Sequence, residues 1–411
     1  MSTSSSLPKL VSSYMLISIL FFGYNMLQLP KTPYFAVRFL LMLIVAFYAL
    51  GIVIKRKNKY SSMSLFLGYF FYLVFSFIFL FLYDFPPTLI PDAVMSGLFP
   101  MLFFFVGAED KDRNTFETSF YKFYFLGAVF LFICSIYLFV TVPSWYIEWK
   151  ISMQPEEWQD NPRVLGAMSG FSGSGYLVGY TAFFAFCYLI FRLKNKVANM
   201  FDYFFLFIVV FCLIFSQVRV ALLGASFVLL WFLKKTLSIR NFIIVLIVVI
   251  AFIALFSYLL SYSESLSTLF DFFTAKLEGA SEDTRYETGI SLLSSQTNFI
   301  FGHGYGTGGH KAAEQGLPAV TDMEYVKLFY ETGIIGTTLF FLIVFKALKK
   351  STWFSFEFFI IVFYLLAMLI ANPLTAEATM SPVFWYAVGR AACKQSIMEF
   401  KTPKVNYYKS V

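Results

Sequence analysis

Three carboxylates and three arginines are the residues best suited to chemistry. Asp322, Glu324 and Glu331 lie just before and just inside an apolar run that begins near residue 325. Carboxylates at the mouth of a helical bundle are candidates for a general base, taking the proton of a hydroxyl as it attacks. Arg219 sits in SQVRVALLG, wedged between two short apolar blocks. A charge at a membrane boundary is costly unless it is paired or functional. Snorkelling would satisfy it at modest cost, but the planar guanidinium fork also suits it to the oxygens of a pyrophosphate. Arg285 projects beside the apolar face of a short predicted helix, and taken alone it reads as a partner for Glu282 or a lipid headgroup. Arg163 opens another apolar run, where Gly173, Gly175 and Gly179 allow close backbone approach.

The stretch FGHGYGTGGHKAAEQGLPAVTDMEYVKLFYETGIIG holds eight glycines and both histidines of the chain. As a nucleotide-binding signature it fails, because it follows no strand and lacks the Gly-Lys-Ser/Thr ending. His303 and His310 have no convincing set of further ligands, so a zinc site is set aside and no metal or other cofactor is expected. GHGYGTGG reads instead as a turn that brings the chain back to the membrane and positions the loop after it.

The elements that must hold these residues follow from composition. The 411 residues are 59% hydrophobic and 13% charged, against about 45–50% and about 25% in a globular chain. The apolar residues come in blocks long enough to cross a bilayer, which takes about 20 in a row. The expected fold is all-α, a polytopic integral membrane protein with about 11–12 transmembrane helices and a small outer helical cap. Spans fall near 11–29, 34–54, 62–83, 88–107, 116–142, 171–191, 202–217, 219–233, 241–262, 325–345, 354–372 and 379–392. The last is short and carries Arg390, which leaves the count at eleven or twelve. The N-terminus has no cleavable leader pattern, so the first block reads as a retained span. Cys134, Cys187, Cys212 and Cys393 all lie in or beside apolar blocks, and no structural disulfide is expected.

The net charge of +7 does not point to nucleic acid, because the basic residues lie between spans. The clusters KRKNK, KDR, RLKNK, KKTLSIR and KALKK all fall on one side. Together with Lys9, Arg390, Lys394, Lys401, Lys404 and Lys409 they hold 21 of the 31 Lys and Arg. Positive loops stay cytoplasmic, so both termini are expected there. The opposite face then carries two long loops, 143–170 and 263–324, and loops of that length are usually functional. The first contains Trp145, Trp149 and Trp158, suited to an interfacial anchor and secondarily to stacking sugars. The second is expected to open with an amphipathic helix through Leu266, Phe270, Phe273 and Leu277. A further helix follows, starting at Ser281, with Tyr286, Ile290 and Leu293 on its apolar face.

Four stretches carry a resemblance. TDMEYVKLFYETGIIGTTLFFLIVF resembles the signature of the O-antigen polymerase and ligase superfamily, an (Asp/His)-Asn-x-Tyr-Leu element followed by Glu-x-Gly-x-x-Gly opening a span. SQVRVALLGASFVLL is similar to that family's Ser-x-x-Arg-x-x-x-x-Gly helix start. DTRYETGISLLSSQTNFIFGHGYGTG resembles its arginine helix and glycine turn, and NPRVLGAMSGFSGSGYLVGY its arginine–glycine segment. Order and spacing agree over roughly the C-terminal 60% of the chain.

The resemblance implies a metal-independent glycosyltransferase with the multi-spanning fold of lipid-dependent (GT-C-like) enzymes, in a bacterial inner membrane with its site facing the periplasm. Its substrates would be undecaprenyl-pyrophosphate-linked oligosaccharide repeat units, with a chain-length regulator and a flippase as further partners. Arg219 and Arg285 would bind the pyrophosphate leaving group, and Arg163 would hold donor or acceptor. Tyr325 and Glu331 would line the substrate site, and Asp322 or Glu324 would be the base. Ligases of the superfamily carry His where this chain has Asp322, and polymerases more often carry Asp. Met323 stands where the family has Asn. The expected function is therefore an O-antigen polymerase of lipopolysaccharide biosynthesis, with a ligase or oligosaccharyltransferase second. A polysaccharide flippase is the rival from another class. A transporter would show internal repeats and charged or broken helices near the midplane, whereas the polar residues of this sequence gather in the loops.

Overall fold

The computed structural model describes residues 31–55, 61–109, 126, 129, 133, 175–194, 199–216, 218–236, 285–294, 296–313, 315–318, 323–351, 355–369, 374 and 381–393. Every regular element among them is a helix. In chain order these are α1 (Lys31–Lys55), α2 (Ser61–Leu82), α3 (Leu89–Glu109), α4 (Gly175–Lys194), α5 (Met200–Ser216) and α6 (Arg219–Thr236). There follow α7 (Arg285–Ser294), α8 (His310–Ala313), α9 (Glu324–Lys350), α10 (Phe356–Ala367) and α11 (Ser381–Ala392). By length and composition α2, α3 and α9 are long and apolar enough to cross a membrane, α9 when the arms on either side of Gly333 are taken together. Boundaries of α1, α2, α5 and α6 agree with the expected spans to within a few residues. The expected spans 11–29 and 241–262, most of 116–142, loop 143–170 and the helix at 266–277 lie outside the described residues.

The centre of the bundle is α11, buried along its whole length. It lies against the last turns of α3, where each helix offers a glycine. A Cβ on Gly107 would strike the Tyr386 carbonyl, and one on Gly389 would strike that of Phe104. Small residues of this kind let two helix backbones approach closely. Around the contact Phe66 of α2 stacks on Phe104 at 3.9 Å, and Trp385 meets Phe66 edge-on at 5.7 Å.

Arg390 was expected among the basic residues that set orientation. It is instead inside α11, with Nε 3.1 Å from Glu357 Oε1 of α10 and both side chains buried. A charge held in a buried pair links two helices and says nothing about sidedness. In α7 Gly289 and Leu292 turn to the protein, while Ile290 is 67% exposed. Gly289 sets that face, because its bare Cα lies against the Met323 sulfur.

Two of the described helices are broken. α3 passes through a π-turn at Val94–Leu98 before Pro100. Proline has no N–H to give the Ser96 carbonyl, so the regular ladder cannot run through. α9 breaks at Gly333, whose φ of 60° and ψ of −165° are open essentially to glycine alone. The break is sharp. Tyr325 and Phe341 stack with ring centroids 5.8 Å apart, whereas a straight helix would hold those positions about 24 Å apart. The arm 324–332 therefore folds back beside the arm 334–350. The continuous span expected at 325–345 is replaced by one apolar arm and a short helix returning into the bundle.

Candidate functional site

The break in α9 leaves backbone groups without helical partners, and the glycine-rich stretch supplies them. His303 N–H donates to the Tyr330 carbonyl at 3.0 Å and Gly304 N–H to that of Glu331 at 2.9 Å. In return Ile334 N–H donates to Phe299 O at 2.9 Å and Ile335 N–H to Ile300 O at 3.3 Å. The Thr332 carbonyl accepts the Tyr72 hydroxyl at 2.6 Å, which also reaches Phe301 O at 3.0 Å. Gly302, at φ 78°, presses directly on the Glu331 and Thr332 backbone. Buried backbone polar groups must find partners, and this seam provides them.

The turn is anchored on its other side as well. Tyr305 N–H donates to Ser76 Oγ of α2 at 3.1 Å, and the Tyr305 phenol lies against Gly97 in the π-turn of α3. Burial, with the Glu331 carboxylate adding to it, pushes that phenol well above its ordinary value, so it stays a donor. Asn298 closes the start of the turn, its side chain accepting Phe301 N–H at 3.1 Å. GHGYGTGG is thus a docked plug between α2, α3 and α9, and neither a hinge nor a phosphate cradle.

Beneath the plug the interior face of the returning arm carries Glu324, Lys327 and Glu331, which are 3%, 5% and 1% exposed. Glu331 Oε1 accepts Gly308 N–H at 2.9 Å and lies 4.0 Å from Lys327 Nζ. Glu324 Oε2 accepts Leu374 N–H at 3.3 Å. Glu324 was expected at the mouth of the bundle. The fold-back at Gly333 carries it inward instead, nine residues along a helix that runs into the core. Tyr325 turns towards α10 and donates its hydroxyl to Leu365 O at 2.7 Å. Glu331, expected against substrate, supports the turn with its carboxylate.

Of the remaining expected site residues, Asp322 and Arg163 lie outside the described residues. Arg285 is the first residue of α7, which packs on the start of α9 through Leu292, Tyr330, Met323 and Val326. Arg219 is the first residue of α6. α6 and α10 run antiparallel, Trp231 meeting Phe359 and Gly224 lying under Phe363. Five residues before Gly224, about 7.5 Å further along the helix, Arg219 falls past the level of Phe363, towards the Leu365 end of α10. Lys327, Tyr72, Ser76 and Asn298 were not anticipated. Tyr72 and Ser76 did carry a signal, two hydroxyls one helical turn apart in an otherwise apolar run.

His303 is buried at the rim of the plug, stacked on Tyr330 at 4.5 Å with Tyr83 at 4.9 Å, its Nε2 2.9 Å from Thr297 Oγ1. Burial holds the imidazole below its ordinary value of 6.5, and the Tyr330 carbonyl works the other way. The unfolded chain therefore takes up this proton at a higher pH than the folded chain does. The stability contributed by the neutral ring is whole above about pH 6.5 and is lost as pH falls through the lower folded value. Thermal melts of the detergent-solubilised protein between about pH 5 and 8 should show this acid loss. His303→Gln should flatten it, and an unchanged slope would place the titrating group elsewhere.

Among the described residues no group of three or more His, Cys, Asp or Glu side chains comes together as a metal site, and Cys187, Cys212 and Cys393 are buried outside any disulfide. No family model and no curated protein matches this chain.

Proposed function

We propose that the protein is a polytopic inner-membrane glycosyltransferase of the O-antigen polymerase type, extending a glycan carried on undecaprenyl pyrophosphate. One observation carries the proposal. Two of the four stretches that resemble that family meet in space, the glycine turn joined bond for bond to the Glu331–Gly333 break and α7 seated on the start of α9. In this reading the Gly333 end faces the periplasm and both termini face the cytoplasm. Arg219 and Arg285 hold the departing pyrophosphate, since a leaving group of that charge needs fixed positive partners. Arg163 and Tyr325 belong to the substrate site, with Asp322 or Glu324 as base. A chain-length regulator and a flippase are the partners this role entails.

The broken helices and buried charges of α9 also meet the description of a transporter. In transporters, however, the freed groups face a substrate cavity. Here residues 299–304 and Tyr72 occupy the carbonyls of Tyr330, Glu331 and Thr332 and the N–H groups of Ile334 and Ile335, which favours an enzyme.

Deletion of the gene tests the assignment. The expected lipopolysaccharide is lipid A-core bearing a single repeat unit, because a separate ligase still works. Asp322→Asn should reproduce that pattern in a folded protein. Bare core with long chains accumulating on the lipid carrier would mean a ligase instead.

A further inference from the structure

From 288 to 310 the chain carries no Lys, Arg, Asp or Glu, and ahead of the buried glycine turn it points three large apolar side chains outward. Phe299, Ile300 and Phe301 are 57%, 55% and 39% exposed, and Ile334 across the seam is exposed as well. Soluble proteins rarely leave a contiguous patch of this kind to water. The patch also continues along α2. The Phe301 ring stacks on Phe79 at 5.6 Å, and Phe75 meets Phe79 edge-on at 6.0 Å. Phe75 belongs to the outward stripe Phe71, Phe75, Ile78 and Leu82, spaced as one face of the helix. The tip therefore extends the apolar outer surface of a helix long and apolar enough to cross a membrane.

Contacts set its depth. The exposed Asp84, just past the end of α2, is the first charged residue after Lys59. Phe79, under the tip, lies five residues before Asp84, and Ser76, which accepts Tyr305 N–H, lies eight before. Tip and turn thus sit about 7.5–12 Å below the charged end, measured along the helix. That is within one leaflet of a hydrocarbon core about 30 Å thick. Backbone outside a regular helix survives at that depth only where its polar groups are satisfied. The N–H groups of 301–304 and the carbonyls of 299–301 all have partners, in Asn298, the Gly333 break and Tyr72.

We propose that residues 299–301 form a re-entrant element that packs against lipid acyl chains, in the leaflet at the Asp84 end of α2. The proposal rests on the membrane-spanning part of the reading above and not on glycosyl transfer. A protein partner would ordinarily be held by direct hydrogen bonds as well as apolar contact. The tip has little of that kind to give, because its three side chains are hydrocarbon and these backbone groups are already used. Acyl chains need nothing more.

The test is a spin label on Ile300→Cys in the full chain, with the four native cysteines replaced by Ala, reconstituted in phosphatidylethanolamine–phosphatidylglycerol vesicles. Collisions with oxygen, which enters hydrocarbon, are compared with collisions with a water-soluble nickel chelate. Phe75→Cys on the outer stripe of α2 and the exposed Ala313→Cys are the references. The oxygen-to-nickel ratio at 300 should match that at 75 and stand well above that at 313. A ratio at 300 like that at 313 would put the tip in water and overturn the proposal. Loss of both collisions at 300 would mean a second copy or another protein covers it, which overturns it equally. A ratio at 75 like that at 313 would overturn the reading of α2 as a span, a separate result. If the cysteine-free chain fails to fold, the photoreactive residue p-benzoylphenylalanine at 300 in the otherwise unaltered protein makes the same distinction. Phospholipid adducts are expected there, and crosslinked dimers in their place would overturn the proposal.

Discussion

Gly333→Ala is expected to undo the fold-back of α9 and abolish function. Its backbone occupies a conformation that costs a residue with a side chain about 1–3 kcal/mol. The new Cβ would also strike the Ile300 carbonyl and crowd Gly302 N. Relief requires the two segments of the seam to part, with the loss of hydrogen bonds worth about 1 kcal/mol each. The total of several kcal/mol is a large fraction of the stability of most domains, about 5–15 kcal/mol. Gly302→Ala should behave alike, since it meets the same backbone from the other side. Two controls separate strain from collision. Gly316 has a φ of 72° with nothing within 4 Å, so Gly316→Ala should register strain only. Gly68, inside α2 with open space around it, should accept alanine without loss. Thermal melts and glycan ladders together read the outcome. A Gly333→Ala protein as stable as Gly68→Ala would mean that the break is not a fixed feature of the fold.

Helix placement was legible in the sequence because apolar length alone sets it. The expected 62–83 and the observed Ser61–Leu82 differ by a residue at each end. The break at Gly333 was not legible in the same way. Glu-Thr-Gly-Ile-Ile-Gly reads as the opening of an apolar helix, and only the partner segment 299–304, some thirty residues earlier, satisfies the backbone groups that a break there frees. Glu324 was consequently placed at the mouth of the bundle when it lies within. Lys327 and Arg390 were hidden for a related reason. A lone basic residue near the end of an apolar run looks like a headgroup or orientation signal, and its buried carboxylate partner becomes visible only in three dimensions. The glycine turn was expected to position the loop after it, and residues 319–322 of that loop lie outside the described residues; the density of glycine reflects what the turn packs on: the Glu331 backbone, Ser76, Ala93 and Lys327.

Arg219 offers the largest effect on chemistry. It opens α6 towards the Leu365 end of α10, which Tyr325 joins, and α7, headed by Arg285, packs on the start of the returning arm. If these guanidinium groups stabilise the departing pyrophosphate, Arg219→Ala should lower the rate of elongation by about 10²–10³, the usual cost of losing one preorganised electrostatic contact. Arg219→Lys should rescue poorly, because an ammonium keeps the charge and loses the two-pronged geometry. Arg285→Ala should fall in the same range. The melting temperature should hardly move for any of these, since neither position lies in the seam around Gly333. That contrast is informative: Gly333→Ala loses stability and function together, whereas Arg219→Ala loses function alone. Elongation by both alanine variants at the wild-type rate would remove the pyrophosphate role and return the arginines to lipid-facing charges.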